Sequence, residues 1–367
     1  MKQITAIALS GGVDSLAAAY LLKQQGHHVT GVHFITGFET KTSRQHNNRF
    51  IKDSYTEGFT ANQDSHSLKI ADIADQLGIK VKIIDISTEF KLKIVDYFTQ
   101  TYLAGKTPNP CLVCNPSIKY GTLLTCARKL GASRLATGHY ARISADSLGR
   151  FHLLRGIDGK KDQSYFLAFM TQKQLARACF PLGKMTKSDV RRLVKEKGLR
   201  PAIEKESQDI CFIKGNRYGD FLSQQQGFKA KPGNIVDIGG NILGRHNGLH
   251  LFTIGQRRGI NCPASEPYYV VQIDISKNRL IVGLKKDLLS SSCKVTDINW
   301  IIDKPSSPLD VDTRIRYRNR AVRSRLIPDG STSATNIFDF PQSAVTPGQG
   351  AVFYKDDEVI GGGWIDA

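Results

Sequence analysis

The 367-residue chain predicts an α/β fold: a doubly wound parallel-sheet domain, then a small central domain rich in strands, then a C-terminal β-barrel. Three observations predict it. First, an apolar run at residues 3–9 passes through Ser10-Gly11-Gly12 into a helical pattern at 15–25, and a second apolar run follows at 28–34. This is a βαβ unit, which implies parallel strands and a right-handed crossover. Second, the alternation continues, with helical patterns at 68–77, 90–103 and 120–130 and strand patterns at 81–86 and 134–137. Third, the texture changes after Gly198. Turns such as Pro232-Gly233-Asn234 appear, a hairpin pattern pairs 270–275 with 280–283 around Lys277-Asn278, and short strands separated by Pro, Gly and Ser fill the rest. Such spacing is typical of a small barrel. The expected domains are 1–204, 205–280 and 281–367. Residues 39–65 are polar without apolar periodicity and read as a long loop, a length that is usually functional or disordered.

Charge bounds the partners. Lys and Arg number 51 against 33 Asp and Glu, a net charge of +18, which points to a polyanion. The excess sits mostly before residue 205, while the last 87 residues are balanced overall. Even so, six arginines lie between Arg314 and Arg325 with no acid among them. Arg314, Arg316, Arg318 and Arg320 alternate with other residues, so on a strand they would line one face and meet phosphates. No apolar run approaches the ~20 residues of a membrane helix, and Met1 leads into the first strand with no signal-peptide core and cleavage site. The expected location is the cytoplasm. Seven cysteines, an odd number in a long chain of this kind, do not make a disulfide framework.

Ser10-Gly11-Gly12-Val13-Asp14-Ser15 stands between the first strand and the first helix. Two glycines allow close backbone approach to an anion, and the serine hydroxyls, helix-start amides and helix dipole favour phosphate oxygens. The Gly-Lys-Ser/Thr ending of a hydrolytic P-loop is absent. A capped tight turn would use the same residue types, yet all six residues at this topological position favour a phosphate loop. The loop is a surface turn, so replacing Asp14 is expected to spare the fold.

Residues 105–120 read GKTPNPCLVCNPSIKY. Two prolines stiffen the loop, and a thiol near a helix start and beside Lys119 would ionise readily. Cys211, between Ile210 and Phe212, reads equally as a core cysteine.

These segments together resemble the bacterial and organellar tRNA-specific 2-thiouridylases, within the N-type ATP pyrophosphatase superfamily and its HUP-like fold. The resemblance runs nearly end to end: residues 10–15, 105–120, ATGHYAR at 136–142, KDQSYFL at 161–167, the segment around Cys211, FTIGQRRG at 252–259 and TPGQGAV at 346–352. It implies that ATP, with Mg2+, activates the 2-carbonyl oxygen of the wobble uridine in the tRNAs for Lys, Glu and Gln. A persulfide sulfur then displaces AMP. It further implies that Cys211 carries the persulfide and Cys114 completes sulfur release, leaving a disulfide between them. Nucleotide contacts would come from Ala8, Leu9, Ser10, Gly11, Gly12, Val13, Asp14, Ser15, Phe34 and Gly138. The target base would meet Asn109, Pro110 and Cys111. The tRNA would meet His139, Lys161, Asp162, Gln163, Arg316, Tyr317 and Gln349. The charged turn at Lys161 and Asp162 also reads as simply solvated. The implied sulfur source is a persulfide-donating relay protein or a cysteine desulfurase. Cys111 departs from the family pattern, in which many members carry Asp there. It opens a second reading, with Cys111, Cys114 and Cys211 holding a [4Fe-4S] cluster.

Overall fold

The structure is a computed structural model and describes residues 4–39, 65–203, 210–213, 218–225, 228–263 and 265–366. The expected loop at 39–65, its two end residues apart, lies outside them. In chain order the first elements are β1 (Ile4–Ala8), α1 (Val13–Gln24), β2 (His28–Ile35), α2 (Ser65–Leu77), β3 (Lys80–Asp85) and α3 (Ser87–Phe90). A π-helical stretch (Lys91–Val95), α4 (Asp96–Leu103) and α5 (Pro110–Cys114) come next, then a second π stretch (Asn115–Leu123), α6 (Leu124–Lys129) and β4 (Ala132–Ala136). β5 (Ala141–Ala145), β6 (Phe151–Arg155), α7 (Gln172–Leu175), β7 (Ala178–Cys179), α8 (Lys187–Glu196) and α9 (Tyr218–Ser223) complete the first half. The rest is strand: β8 (Gly233–Val236), β9 (Ile242–His246), β10 (Tyr269–Asp274), β11 (Arg279–Gly283), β12 (Leu289–Trp300), β13 (Leu309–Arg314), β14 (Val322–Pro328), β15 (Ala334–Ser343), β16 (Gly350–Lys355) and β17 (Glu358–Asp366).

The chain divides into two compact units, Met1–Lys93 with Val113–Gln208, and Ile94–Leu112 with Asp209–Ala367. In the first unit the sheet runs β3-β2-β1-β4-β7, all parallel. That order is doubly wound, and the strand order reverses between β1 and β4, where such folds bind ligands at the strand C-termini. Ala17, Ala18 and Ala19 on α1 are fully buried. Their small side chains let the helix lie close to the sheet, and Leu16 and Leu22 each contribute roughly 1.5–3 kcal/mol by burial.

The second unit holds two β structures. A four-stranded sheet, β10-β11-β8-β9, covers a core of Ile235, Leu249, Phe252, Val270, Leu280 and Val282. Its β10–β11 hairpin is the one expected. Asp274 secures the turn by accepting from Ser276 Oγ, Lys277 N and Arg279, and these donors hold its carboxyl down at about 2. The last six strands, ordered β12-β15-β14-β13-β16-β17 with β17 pairing back to β12, close the expected barrel around Val295, Val311, Leu326, Phe338 and Phe353.

One expectation is corrected here. Arg314, Arg316, Arg318 and Arg320 do not line a strand face. β13 ends at Arg314, Ile315 drops into the barrel core at 1 % exposure, and the chain turns, with Asn319 N donating to Arg316 O. Arg314 holds that turn. Its guanidinium donates to Asn319 O at 3.0 Å and to Tyr317 O, and it lies over the Tyr317 ring at 5.0 Å. Arg316 is half-buried and donates to Ile254 O at 3.0 Å and to Thr346 Oγ1. Only Arg318 and Arg320 of the four are exposed, and Arg323 and Arg325 on β14 join them.

This difference predicts a split in stability. Arg316→Ala removes charge-assisted bonds to the half-buried Ile254 carbonyl and the buried Thr346 hydroxyl and should cost about 1.5–3 kcal/mol in chemical denaturation. Arg320→Ala should stay within about 0.5 kcal/mol. Equal effects would contradict the assignment of Arg316 as an internal clamp.

Candidate active site

The loop after β1 is built as an anion cradle. Gly11 takes φ +84°, and Gly12 stands as N-cap of α1. No side chain caps that helix start, so its first amides are not taken by one and point outward, the arrangement that receives phosphate oxygens. Ser15 Oγ accepts from Ser10 N at 3.3 Å and Ser10 Oγ at 3.2 Å and donates to Gly12 O at 3.0 Å, which locks the loop's curvature. Its far end is fixed by Ile203 N donating to Gly11 O at 3.0 Å.

The segment after β4 closes the other side of the switch point. A Cβ on Gly138 would fall 2.8 Å from Asp14 C and 2.9 Å from Ser15 N, so only glycine lets the two strand ends approach this closely. Phe34, half-buried at the end of β2, follows His33, whose Nδ1 bonds Leu9 O at 2.8 Å. Ala8, Leu9, Val13 and Phe34 thus lie with Gly138 at one end of the sheet.

Asp14 does something the sequence did not announce. Both its oxygens accept from Lys187 Nζ at 2.7 Å, and Oδ1 also accepts from the Tyr140 hydroxyl at 2.8 Å. Lys187 is 6 % exposed overall, and its ammonium lies 5.9 Å from the Tyr140 ring centre. It opens α8 behind a Thr186 capping box with Asp189, and its own N–H donates to Asp158 Oδ2 at 2.9 Å. The sequence reading missed Lys187. A lysine behind a capping box looks like an ordinary helix start, and its partner is 173 residues away. The expectation that Asp14 can be replaced without harm to the fold is therefore corrected, because its carboxylate neutralises a buried ammonium.

His139 is buried at 8 % exposure. Its Nε2 faces Lys119 Nζ at 3.4 Å and its Nδ1 lies 2.7 Å from Thr137 Oγ1. An ammonium only donates, so Nε2 is the acceptor and Nδ1 carries the proton. Burial first and the Lys119 charge second keep the imidazole well below its ordinary pKa and neutral. Lys119 is thus engaged by His139. Asp162, 4 % exposed, accepts from Gly156 N and Ser164 N at 3.1 Å each. Gln163 clasps Tyr140 through both its backbone and its side chain. Asp162 and Gln163 anchor the turn, with half-buried Lys161 beside them.

Cys111 and Cys114 lie one turn apart on α5, Cys111 exposed and Cys114 half-buried. Cys211 is exposed. Beyond Cys114 the helix widens into the π stretch, where Pro116 has no N–H to give. Gln174 Nε2 takes over the Pro116 and Tyr120 carbonyls at 2.7 and 3.2 Å. Asn109 and Pro110 are buried immediately before Cys111. Within the second unit, Gln349 Nε2 donates to Thr107 O at 3.1 Å and Pro108 O at 3.0 Å, so Gln349 holds the loop ahead of Cys111. Tyr317 and Arg316 sit in the barrel turn already described. Among the described residues no three His, Cys, Asp or Glu side chains converge as metal ligands, and no helix is long and apolar enough to cross a membrane.

Comparisons with known proteins agree with this layout. Residues 3–215 match the family model described as tRNA methyl transferase HUP domain. Residues 219–284 match the tRNA methyl transferase PRC-barrel domain and 290–365 the aminomethyltransferase beta-barrel domain. The chain is 46 % identical to the tRNA-specific 2-thiouridylase MnmA of Desulfosudis oleivorans, over 99 % of this chain and 95 % of that one. It is 44 % identical to that of Geobacter metallireducens, over 98 % and 96 %, and 42 % identical to that of Nostoc punctiforme, over 100 % and 99 %.

Two outcomes follow. Asp14→Asn strands the Lys187 ammonium and should cost roughly 2–3 kcal/mol, the low side for a broken buried pair because Asp14 is partly exposed. Asp14→Asn combined with Lys187→Met should recover most of that stability. A single variant as stable as the parent in urea would contradict the pairing. The second concerns pH. The folded-state pKa of His139 is depressed, so the unfolded state, titrating near 6.5, binds more protons as the medium turns acid. The contribution is complete above about pH 6.5 and is lost as pH falls below it. The unfolding temperature of the parent should drop more between pH 7.5 and 5.5 than that of His139→Gln. Equal drops would show that His139 does not titrate on unfolding.

Proposed function

The chain belongs to the tRNA-specific 2-thiouridylase MnmA family of enzymes, and from that premise we propose that it activates a tRNA uridine with ATP at the β1–β4 switch point and replaces its 2-oxygen by sulfur. The observation that carries the reading is the loop at residues 10–15 facing Gly138 with Lys187 fixed on Asp14. Uncapped helix-start amides beside a glycine-lined crevice support the reading of an anion site there. ATP supplies the activating group. The uridine O2 attacks the α-phosphorus, the bond to the bridging oxygen breaks, and pyrophosphate leaves. Loop amides and serine hydroxyls would hold the departing pyrophosphate. Because both Asp14 oxygens are occupied by Lys187, Asp14 acts by fixing the start of α8 to the loop. Mg2+ would enter with the nucleotide.

Activation makes O2 a good leaving group. In the proposed second stage the terminal sulfur of a Cys211 persulfide attacks C2, and AMP departs with the former uridine oxygen. The Cys114 thiolate then attacks the Cys211 sulfur, releasing 2-thiouridine and leaving a Cys114–Cys211 disulfide. An external thiol reductant returns both to thiols, and a relay protein or cysteine desulfurase reloads Cys211. We take the wobble uridines of the tRNAs for Lys, Glu and Gln as substrates, with Asn109, Pro110 and Cys111 at the base. His139 is buried and its ring is engaged, so its part is to shape the wall beside Lys119. We derive no step through an iron–sulfur cluster.

Three measurements test this. Nucleoside mass analysis of tRNA from a strain lacking the gene should show loss of 2-thiouridine at those three wobble positions, restored by the parent chain and not by Cys211→Ser. Unchanged thiouridine would overturn the function. Cys111→Ser should keep more than about a tenth of aerobic activity, since Cys111 forms no bond in the cycle. Activity as low as that of Cys114→Ala, with iron bound by anaerobic protein, would favour the cluster. For RNA binding, the exposed arginines replace the alternating set. Arg318→Ala with Arg320→Ala should weaken tRNA binding and flatten its salt dependence by about one unit of slope per lost phosphate contact. An unchanged salt series would move the RNA face elsewhere.

A further inference from the structure

Within the second compact unit, α4 touches the segments that lead into both exposed cysteines. Phe98 is fully buried and meets the Phe212 ring edge-on at 5.4 Å and 88°. Phe221 completes the cluster, 6.1 Å from Phe98 and 5.4 Å from Phe212. Phe212 follows Cys211 directly. Its ring is 4 % exposed while Cys211 is exposed, so a buried aromatic seats the residue next to an outward thiol.

The preceding residue on α4 does the same for the other loop. Tyr97 accepts a hydrogen bond from Asn109 N at 3.3 Å, two positions before Cys111. Burial pushes its phenol up to about 12, so it stays a neutral hydroxyl at any working pH. Its ring lies 5.9 Å from Trp364 on β17. The barrel grips the same loop independently. Thr107 N donates to Pro347 O at 2.8 Å, and Lys106 pairs with Asp366 at 2.7 Å. At Gly348, φ +86°, a Cβ would fall 2.8 Å from Thr107 O and 3.0 Å from Thr107 N. The loop ahead of Cys111 is thus held from two sides, by α4 and by the barrel.

We infer that α4 is a positioning element for sulfur transfer: Tyr97 registers the Cys111 segment and Phe98 registers the Cys211 segment against one rigid helix. This rests on the Cys211 persulfide reading and deepens it. Sulfur displacement needs the attacking and departing atoms in line, and a misplacement near 1 Å can cost about 100-fold in rate. A persulfide on a mobile exposed segment would have no such alignment. Tying both segments to adjacent side chains of one helix supplies it, without either aromatic touching the substrate. Tyr97 and Phe98 are therefore positioning residues; the Phe98 seat acts on the second chemical stage alone, and the Tyr97 bond acts through the segment that meets the base.

The test separates the two stages in the full chain. Tyr97→Phe removes one hydroxyl and keeps the ring, and Phe212→Leu loosens the aromatic seat while keeping an apolar side chain. Each is assayed for tRNA-dependent ATP–pyrophosphate exchange, for tRNA affinity, and for single-turnover 2-thiouridine formation from persulfide-loaded enzyme. In Phe212→Leu exchange and affinity should stay within about twofold, while the thiolation rate falls about tenfold in both variants. Two results overturn the inference: thiolation at the parent rate in both variants, or a parallel fall of exchange and thiolation in Phe212→Leu, which marks general loss of structure. Cys211→Ser, run beside them, should exchange normally and thiolate not at all. Normal thiolation by Cys211→Ser would sink the persulfide reading and the positioning role with it. Normal thiolation by the two aromatic variants beside an inactive Cys211→Ser would sink the positioning role alone.

Discussion

The buried Lys187–Asp14 pair is the interaction on which the nucleotide end of the molecule depends. It fastens the start of α8 to the start of α1, and the Tyr140 hydroxyl adds the segment after β4 to the same carboxylate. Three stretches of chain that are distant in sequence are thereby fixed around one loop. An ammonium this buried is tolerated only with its partner in place. The pair therefore specifies geometry at least as much as it stabilises.

The close approach at Gly138 is the steric counterpart of that electrostatic lock. Doubly wound sheets leave a crevice wherever the strand order reverses, and here its two lips are the loop after β1 and the turn after β4. With no Cβ at Gly138, the backbone of Asp14 and Ser15 packs directly against the second lip. The second unit follows a comparable economy. The TPGQG turn and α4 hold the loop before Cys111 through backbone bonds, one ion pair and a glycine that leaves room. In both places the chemistry-bearing residues stand at helix starts that follow irregular loops, and neighbouring elements hold those loops.

Much of this was legible in the sequence because it is local. The βαβ start, the Ser-Gly-Gly loop, the β10–β11 hairpin around Asn278 and the run of short barrel strands all declare themselves in the order of neighbouring segments. The less legible features depend on partners far along the chain. Lys187 looks like a capped helix start until Asp14 is beside it. Tyr97 and Phe98 look like two more apolar residues of an amphipathic helix until Asn109 and Phe212 are seen against them. The arginine alternation misled for a local reason. Period-2 spacing was read through a turn, and the signals that break the strand, Ile315 entering the core and Arg314 folding back onto Tyr317 and Asn319, concern side-chain direction rather than residue type. The widened helix after Cys114 is a milder case: Pro116 marks where a helical donor is missing, but the bonds from Gln174 to the Pro116 and Tyr120 carbonyls come from another helix.

If the crevice splits ATP at the α-phosphate and hands AMP to the uridine oxygen, that oxygen must leave with AMP. The most direct test uses a substrate tRNA carrying 18O at C2 of the wobble uridine, turned over with ATP and a persulfide donor, with the products weighed by mass spectrometry. The label should leave the base and appear in AMP, one heavy oxygen for each 2-thiouridine formed. Label-free AMP alongside heavy water, heavy orthophosphate or heavy pyrophosphate would contradict it.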